Sequence, residues 1–461
     1  MRQFFFFVSI FTLALSFSAC STKASFIQQD TLQAQGKYPE AIRYAKEHID
    51  HDDTTARDNL LWKLYLGQSQ FFDNNLSASI SSFDEAENLM KFHREKILAL
   101  DLAKDIRSIL TNDNTRPYIG NTYDGIMLNT YKALAYLRKE DYSGARVEFN
   151  RAIDRQRRAK EFFASSIAKE REALKKEEAK SQVSAGTAQE TQDNTIQEVI
   201  QAQYPELNAY KVYPDFVNPM TNYLAALFAL ANDDKAKAEF LLKESQAMLP
   251  ANKTLKDDYQ SLSLTHKEDT VWLIYEEGLA PVLHEMRVDF PAWIFTSQVN
   301  YVSIALPRIY ERSGAFEYLS LRYEDQNIAE TELLSSMERV IQTEFKKHYP
   351  SIVRRSVISA ISKAAMQKAA NDSNNNLASF VTTVYGILST QTDTRMWTSL
   401  PKNFHVAKFK KEDKKSIDIY SPFNHKIASV KLTPAKHTLI YVKIPSLAHK
   451  VHISSFSLGE K

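Results

Sequence analysis

One cysteine, Cys20, stands in 461 residues; an intramolecular disulfide is excluded, and that thiol must be explained by its position. Only 10 glycines occur, too few for a loop-rich all-β protein over the whole length. An excess of one charge is missing too. The 58 Lys and Arg are matched by 56 Asp and Glu, which argues against a global nucleic-acid field, and no nucleic-acid partner is expected. A Gly-rich phosphate loop and a nucleophile elbow are both absent from the sequence. Eleven histidines are scattered, and only His48-x-x-His51 with Asp52 and Asp53, or His449-x-x-His452, bring ligand types close. The first lies at a helix end, where a solvated face is the simpler reading. In a strand, a spacing of three turns the second pair to opposite faces. Glu276 and Glu277 are adjacent carboxylates that diverge in the same way. The chain reads as a non-enzyme, with no catalytic residue, no metal and no cofactor expected.

What is present is mostly helical pattern. Hydrophobic residues make up 44% and charged residues 25%, an ordinary globular mixture that permits several domains. Tyr123 to Ala159 is the most sharply written stretch. Leu128, Tyr131 and Ala135, then Ala145, Phe149 and Ala152, recur at spacings of three and four on either side of a polar turn at Lys139 to Ser143, which is a helical hairpin. Ala133, Tyr136, Ala145, Phe149 and Ala152 fit the small-and-bulky pattern of a tetratricopeptide repeat. Gly67, Ser79, Phe83 and Ala86 repeat the spacing of Ala133, Ala145, Phe149 and Ala152. Ala226, Ala238 and Leu242 follow it within Tyr223 to Pro250, after a helix start at Asn218-Pro219. Gly36 to Ile49, with Tyr38, Ala41 and Ala45, looks like half of a degenerate fourth unit.

Such hairpins bury their stripes only against one another, so a short solenoid with an open concave face is expected. That face is the first site hypothesis, with Tyr131, Tyr136, Arg138, Asn222 and Tyr223 as its candidate interaction surface. Lys91 to Tyr118 reads as an inserted helix followed by an Asn- and Asp-rich loop. Arg151 to Lys180 reads as a long charged helix, and residues 181–194 lose all periodicity, as a flexible insertion does.

The N-terminus runs from one Arg into an apolar stretch, Phe4 to Phe17, too short for a comfortable membrane span. Residues 1–19 are expected to be a secretory signal peptide. Ser18-Ala19-Cys20 resembles a bacterial lipobox, in which Cys20 is acylated and becomes the mature N-terminus. Each buried methylene contributes about 0.8 kcal/mol, so two or three acyl chains hold a protein on a membrane nearly irreversibly. Ser21, where Asp would retain such a lipoprotein, resembles the outer-membrane sorting pattern.

The pattern changes at Asp269. VWLIYEEG from Val271, RVDFP from Arg287, NYVSIALP from Asn300 and FEYLSLRY from Phe316 read as strands. Gln326 to Lys347 recovers helical spacing through Leu334, Met337, Ile341 and Phe345, and Ser351 to Ala370 and Leu377 to Leu388 follow it. Strand signals return after Pro401, where Ile440, Val442 and Ile444 alternate with Tyr441 and Lys443 as in a half-buried strand. The expected fold class is therefore multidomain α+β. A lipid-anchored helical-repeat domain spans 20–265. An α+β domain spans 266–461, with a helical insertion near 326–390 and a small antiparallel sheet or sandwich at its end. Arg354, Arg355, Lys363 and Lys368 lie in a stretch without acidic residues, a candidate contact for an anionic membrane or an acidic partner. The simpler reading is a helix packed on the sheet.

The lipobox, LNTYKALAYL with ARVEFNRA, the NP-initiated hairpin, YEEGLAPV with YVSIALP, and DTRMW before terminal strands occur in that order. Together they resemble a family of bacterial tetratricopeptide-repeat-containing outer-membrane lipoproteins, over nearly the whole mature chain. The resemblance implies an outer-membrane, periplasm-facing location. Gene neighbourhoods in that family often include lipoproteins that activate peptidoglycan synthases, which implies an envelope role. The expected function is an envelope scaffold or adaptor with a protein partner, linked to peptidoglycan synthesis or outer-membrane maintenance. The alternative is a cell-wall- or lipid-binding regulator acting through the C-terminal domain, with peptidoglycan as its ligand.

Overall fold

A computed structural model describes residues 24–99, 116–180, 189–213, 217–262, 269–291, 301–372, 391–447 and 451–459. Residues 1–19, expected to be a signal peptide, Cys20, residues 181–188, Leu377 to Leu388 and His449 lie outside the described residues.

Four helical hairpins begin the chain, and one turn geometry closes all four. The helices are α1 (24–34), α2 (Tyr38–His48), α3 (Asn59–Phe72), α4 (Leu76–Ala99), α5 (Thr122–Arg138), α6 (Tyr142–Lys180), α7 (Gln189–Gln203), α8 (Glu206–Ala209), α9 (Pro219–Ala231), α10 (Lys235–Met248) and α11 (Lys253–Ser261). At the turns α1–α2, α3–α4, α5–α6 and α9–α10, one residue is left-handed: Gly36 (φ 64°), Asn74 (64°), Glu140 (58°) and Asp233 (61°). The second helix starts two residues later each time. The amide just after the left-handed residue reaches back five residues in every case, Lys37 to Leu32 at 3.0 Å, Asn75 to Gln70 at 2.8 Å, Asp141 to Tyr136 at 2.9 Å and Asp234 to Ala229 at 2.9 Å. This bond satisfies a carbonyl that the helix end leaves over. Gly, Asn and Asp accept the conformation readily, while Glu140 holds it against its own Cβ.

Inside each hairpin a small residue admits a bulky one. A methyl group at Gly67 would meet the Phe83 ring at 2.7 Å, and Ser79 Oγ donates to the Gly67 carbonyl at 2.7 Å. Ala133, Ala145, Phe149 and Ala152, and Ala226, Ala238 and Leu242, are fully buried at the equivalent places. Rings link successive hairpins, Phe83 to Tyr131 at 6.2 Å and Phe149 to Phe228 at 5.4 Å between centroids.

The rest of the chain builds two sheets and a ribbon. The strands are β1 (Thr270–Glu277), β2 (Val282–Pro291), β3 (Tyr301–Tyr310), β4 (Ser320–Tyr323), β5 (Gln326–Glu330) and β6 (Glu332–Ser336). After helix α12 (Met337–Asp372) come β7 (Asn403–Lys410), β8 (Ser416–Tyr420), β9 (Lys426–Lys431), β10 (His437–Ile444) and β11 (His452–Ser457). One sheet has the order β11-β10-β1-β7-β6, another β5-β4-β8-β9, and β2 pairs only with β3. β1 runs parallel to β10 and antiparallel to β7.

Strand alternation then divides the interior. Trp272, Ile274, Phe404, Val406, Leu439 and Tyr441 join the core of the helices, while Val271, Leu273, Tyr275, Ala407, Ile440 and Val442 join a core shared with the second sheet. The protein is a mixed α+β molecule in three layers: helices, a five-stranded sheet and a four-stranded sheet. The division at 265/266 therefore marks a change of secondary structure, while the larger apolar core crosses it.

Three expectations need correction. β10 is buried along its entire length rather than half-buried, because layers cover both faces of its sheet. Residues 326–336 form β5 and β6, and the helix starts only at Met337; the spacing Leu334-Met337-Ile341 bridged a strand end and a helix start. Residues 189–194 already belong to α7, so the insertion without regular structure is shorter than 181–194.

The close approach at Gly67 yields a test. Gly67→Ala pushes a methyl into the Phe83 ring and should lower stability by about 1–3 kcal/mol, read as a shift in the urea midpoint at constant slope. An unchanged midpoint would show that the hairpin tolerates looser packing.

Candidate functional site at the helix–sheet junction

Strand alternation points Glu276 of β1 and Lys443 of β10 toward the helices, and both side chains are fully buried. Lys443 Nζ donates to Glu276 Oε2 at 2.8 Å and to the Ser399 carbonyl at 3.2 Å. The hydroxyls of Tyr131, at 2.9 Å, and Tyr441 donate to Glu276 Oε1. Gln68 Nε2 donates to Tyr131 Oη at 3.0 Å and to the Ser399 carbonyl at 3.1 Å, and Trp397 Nε1 donates to Gln68 Oε1 at 3.2 Å. Burial, then the nearby Glu276 charge, hold both tyrosines well above their usual pKa, so they remain donors. A buried ion pair of this kind is tolerable only because its remaining lone pairs are met.

This network fills the inner side of the hairpins and corrects the first site hypothesis. Tyr131, Asn222 and Tyr223 are buried and serve internal contacts. Asn222 accepts from Gln156 Nε2 at 2.7 Å, and the Tyr223 hydroxyl donates to Asp258 at 2.5 Å. The chain's own sheet occupies the concave face. Tyr136 is half-buried with its ring against Gly144, where an added Cβ would come within 2.6 Å. Arg138 lines a pocket.

The basic stretch divides similarly. Lys363 is buried and Arg354 and Arg355 are half-buried, on a helix that packs against β3 and α6; Lys368 has its side chain outside the described residues. The buried Lys363 does not lie on a surface that meets a membrane. His48 is fixed by the Tyr44 carbonyl at 2.8 Å and Ser25 Oγ at 3.1 Å. Among the described residues no group of three His, Cys, Asp or Glu side chains is placed to hold a metal. Glu277 points to the opposite face from Glu276 and accepts from Asn403 Nδ2 at 2.9 Å.

The pocket beside Arg138 has a volume of about 610 Å³ and lies between the first two hairpin turns and strand β11. Tyr38, Asp73, Asn74 and Arg138 form one wall, and residues 451–456 form the other. Arg138 donates to the Phe71 carbonyl at 2.9 Å and to Asn74 Oδ1 at 2.7 Å, and burial lowers its pKa to about 10. The hydroxyl oxygens of Tyr38 and Ser454, on the side of β11 that meets the helices, are buried without a hydrogen-bond partner among the described residues, and that of Ser455 is buried on the opposite face, toward the second sheet. Buried polar groups are nearly always partnered, so Tyr38 and Ser454 stand out on the wall of this pocket. Sequence reasoning missed it, because only turns far earlier in the chain, folded across residues 451–456, make a pocket there.

A second buried cluster holds the start of α5. Glu344 accepts from the amides of Thr122 at 2.8 Å and Tyr123 at 3.3 Å, and Asp124 accepts from the Tyr118 hydroxyl at 2.5 Å and the Asn121 amide at 2.7 Å. Burial pushes Glu344 up to about 7 and Asp124 up to about 6, against the helix amides and hydrogen bonds that favour their charged forms. As pH rises, the unfolded chain releases the Glu344 proton near 4.5 and the folded chain only near 7, so this group's contribution falls with pH across that window. Compared with Glu344→Gln, the wild type should lose roughly 3 kcal/mol of relative stability over that window. Chemical denaturation of both proteins across that range measures it, and parallel pH profiles would contradict it. At the junction itself, Lys443→Met strands the Glu276 charge and should cost about 3–5 kcal/mol; a melting temperature equal to wild type would place that charge in contact with solvent.

No protein-family model, curated protein or solved structure matches this chain.

Proposed function

We propose that the chain is a lipid-anchored adaptor of the bacterial outer membrane, facing the periplasm, whose tetratricopeptide-like hairpins form a rigid body with its own sheet and receive a partner protein at the junction between them. The repeated turns and the small-against-bulky packing support the tetratricopeptide-like assignment. The lipobox at Cys20 supports the anchor, and among the described residues no helix is long and apolar enough to cross a membrane. The single observation that carries the binding reading is the pocket between the hairpin turns and β11, walled by both halves of the chain. Helical repeats ordinarily offer their concave side to partners. Here that side holds Glu276, Lys443 and Tyr441, so recognition moves to the rim.

A pocket with the aromatic side chains of Tyr38, Phe72 and Phe456 in its walls also suits sugar, and this favours the alternative of a cell-wall-binding regulator. The two readings differ in what the lipidated chain touches. Crosslinking in intact envelopes should yield protein adducts that map to the rim. Co-sedimentation with purified peptidoglycan, without such adducts, would reverse the order. Cys20→Ala should release the protein from salt-washed membranes, and a variant still held there would refute lipidation as the anchor.

A further inference from the structure

We infer that the outer edge of β11 receives an extended peptide segment of a partner protein as a sixth strand of the sheet. This deepens the adaptor reading and rests on it for the identity of the partner class. The geometry starts from one hydrogen bond. Leu458 N donates to the His437 carbonyl at 3.0 Å, which makes that pair a hydrogen-bonded one in the antiparallel β10–β11 register. Bonding alternates along such a pair. Phe456, Ser454 and His452 therefore turn their backbone groups to β10, and Ser457, Ser455 and Ile453 turn theirs away from it.

Among the described residues no strand pairs with that outer edge. Free edges are usually protected by charge, proline, a bulge or a covering element, because they template pairing with another chain. His452-Ile-Ser-Ser-Phe-Ser457 carries no Lys, Glu, Asp or Pro, and its register with β10 is unbroken. The hairpin turns stand opposite and leave a groove of about 610 Å³ that follows residues 451–456. Six successive strand residues lining one groove suit a ligand with strand periodicity, which a peptide has and a sugar lacks.

The side chains agree with a main-chain ligand. Tyr38, 7% exposed, keeps its hydroxyl without a partner, as does Ser454 on the same side of the sheet. Phe72 and Phe456 supply apolar walls for alternate side chains. Arg138 and Asp73 both line the groove, so its charge is balanced, and main-chain pairing rather than charge carries the affinity. Binding should accordingly depend little on salt.

The test uses the full lipidated chain in detergent and a displayed library of random peptides of about ten residues, enough to run the length of the strand. Selection should enrich a family of sequences, and hydrogen exchange should show the amides of Ile453 and Ser455 protected by the enriched peptide. Ser455→Pro removes an outward N–H at an edge position where proline is tolerated, and should weaken binding about tenfold, the order expected for a lost main-chain bond. Tyr38→Phe should weaken it less. Phe240→Ala, on the exposed side of α10, should leave it unchanged. Failure to enrich any peptide overturns the inference, and so does binding that leaves the Ile453 and Ser455 amides unprotected. Should Ser455→Pro fail to fold, the exchange measurement on the wild type decides alone. Envelope adducts that map away from β11 would sink strand addition while leaving the adaptor reading intact. Peptide uptake on β11 without any envelope adduct would do the opposite.

Discussion

The buried pair of Glu276 and Lys443 sets how the two halves of this protein must meet. Each charge left water completely, and isolated charges in such a place cost several kcal/mol apiece. Their neutralisation requires β1 beside β10, Tyr131 of α5 above them, and the Ser399 carbonyl alongside. No half of the chain assembles that set by itself. A helix layer shifted by one turn would lose the Tyr131 and Gln68 contacts together. The pair therefore acts as a registration device between helices and sheet, with apolar burial supplying most of the attraction.

That constraint explains why the concave face is closed and where a surface remains. With the inner side filled, the rim of the junction is where helix turns and strand edge come together without sealing. The four equal turns then have two uses. They end each helix with a satisfied carbonyl, and the first two also build a wall of the pocket through Asp73, Asn74 and the residues after Gly36.

Much of the helical part was legible because hairpin periodicity is local. Gly67, Ser79, Phe83 and Ala86 repeat the spacing of the central hairpin, and the packing follows that spacing. The strands from Val271 and Ile440 were legible as strands, yet their burial was not. Half-burial of β10 followed from Tyr441 and Lys443, two polar-ended residues whose tips are met by Glu276 and the Ser399 carbonyl, both remote in sequence. The candidate site failed in the same way. Tyr131 and Tyr223 looked like surface aromatics because nothing local names Glu276 or Asp258 as their partners. The pocket was invisible because one wall belongs to a strand and the other to turns far earlier in the chain.

The parallel pairing of β1 with β10 matches Thr270 with His437. The centre of the five-stranded sheet thus closes only when nearly the whole polypeptide is available, and non-local pairing of this kind is slow to form. Until then α3 and α5 hold Gln68 and Tyr131 toward an unfilled side, with the apolar residues around them uncovered. A chain in this condition remains open to binding by other chains along that side. The sheet is thereby the internal occupant of the helical layer, and its late arrival ends a period in which the apolar residues of that layer face solvent.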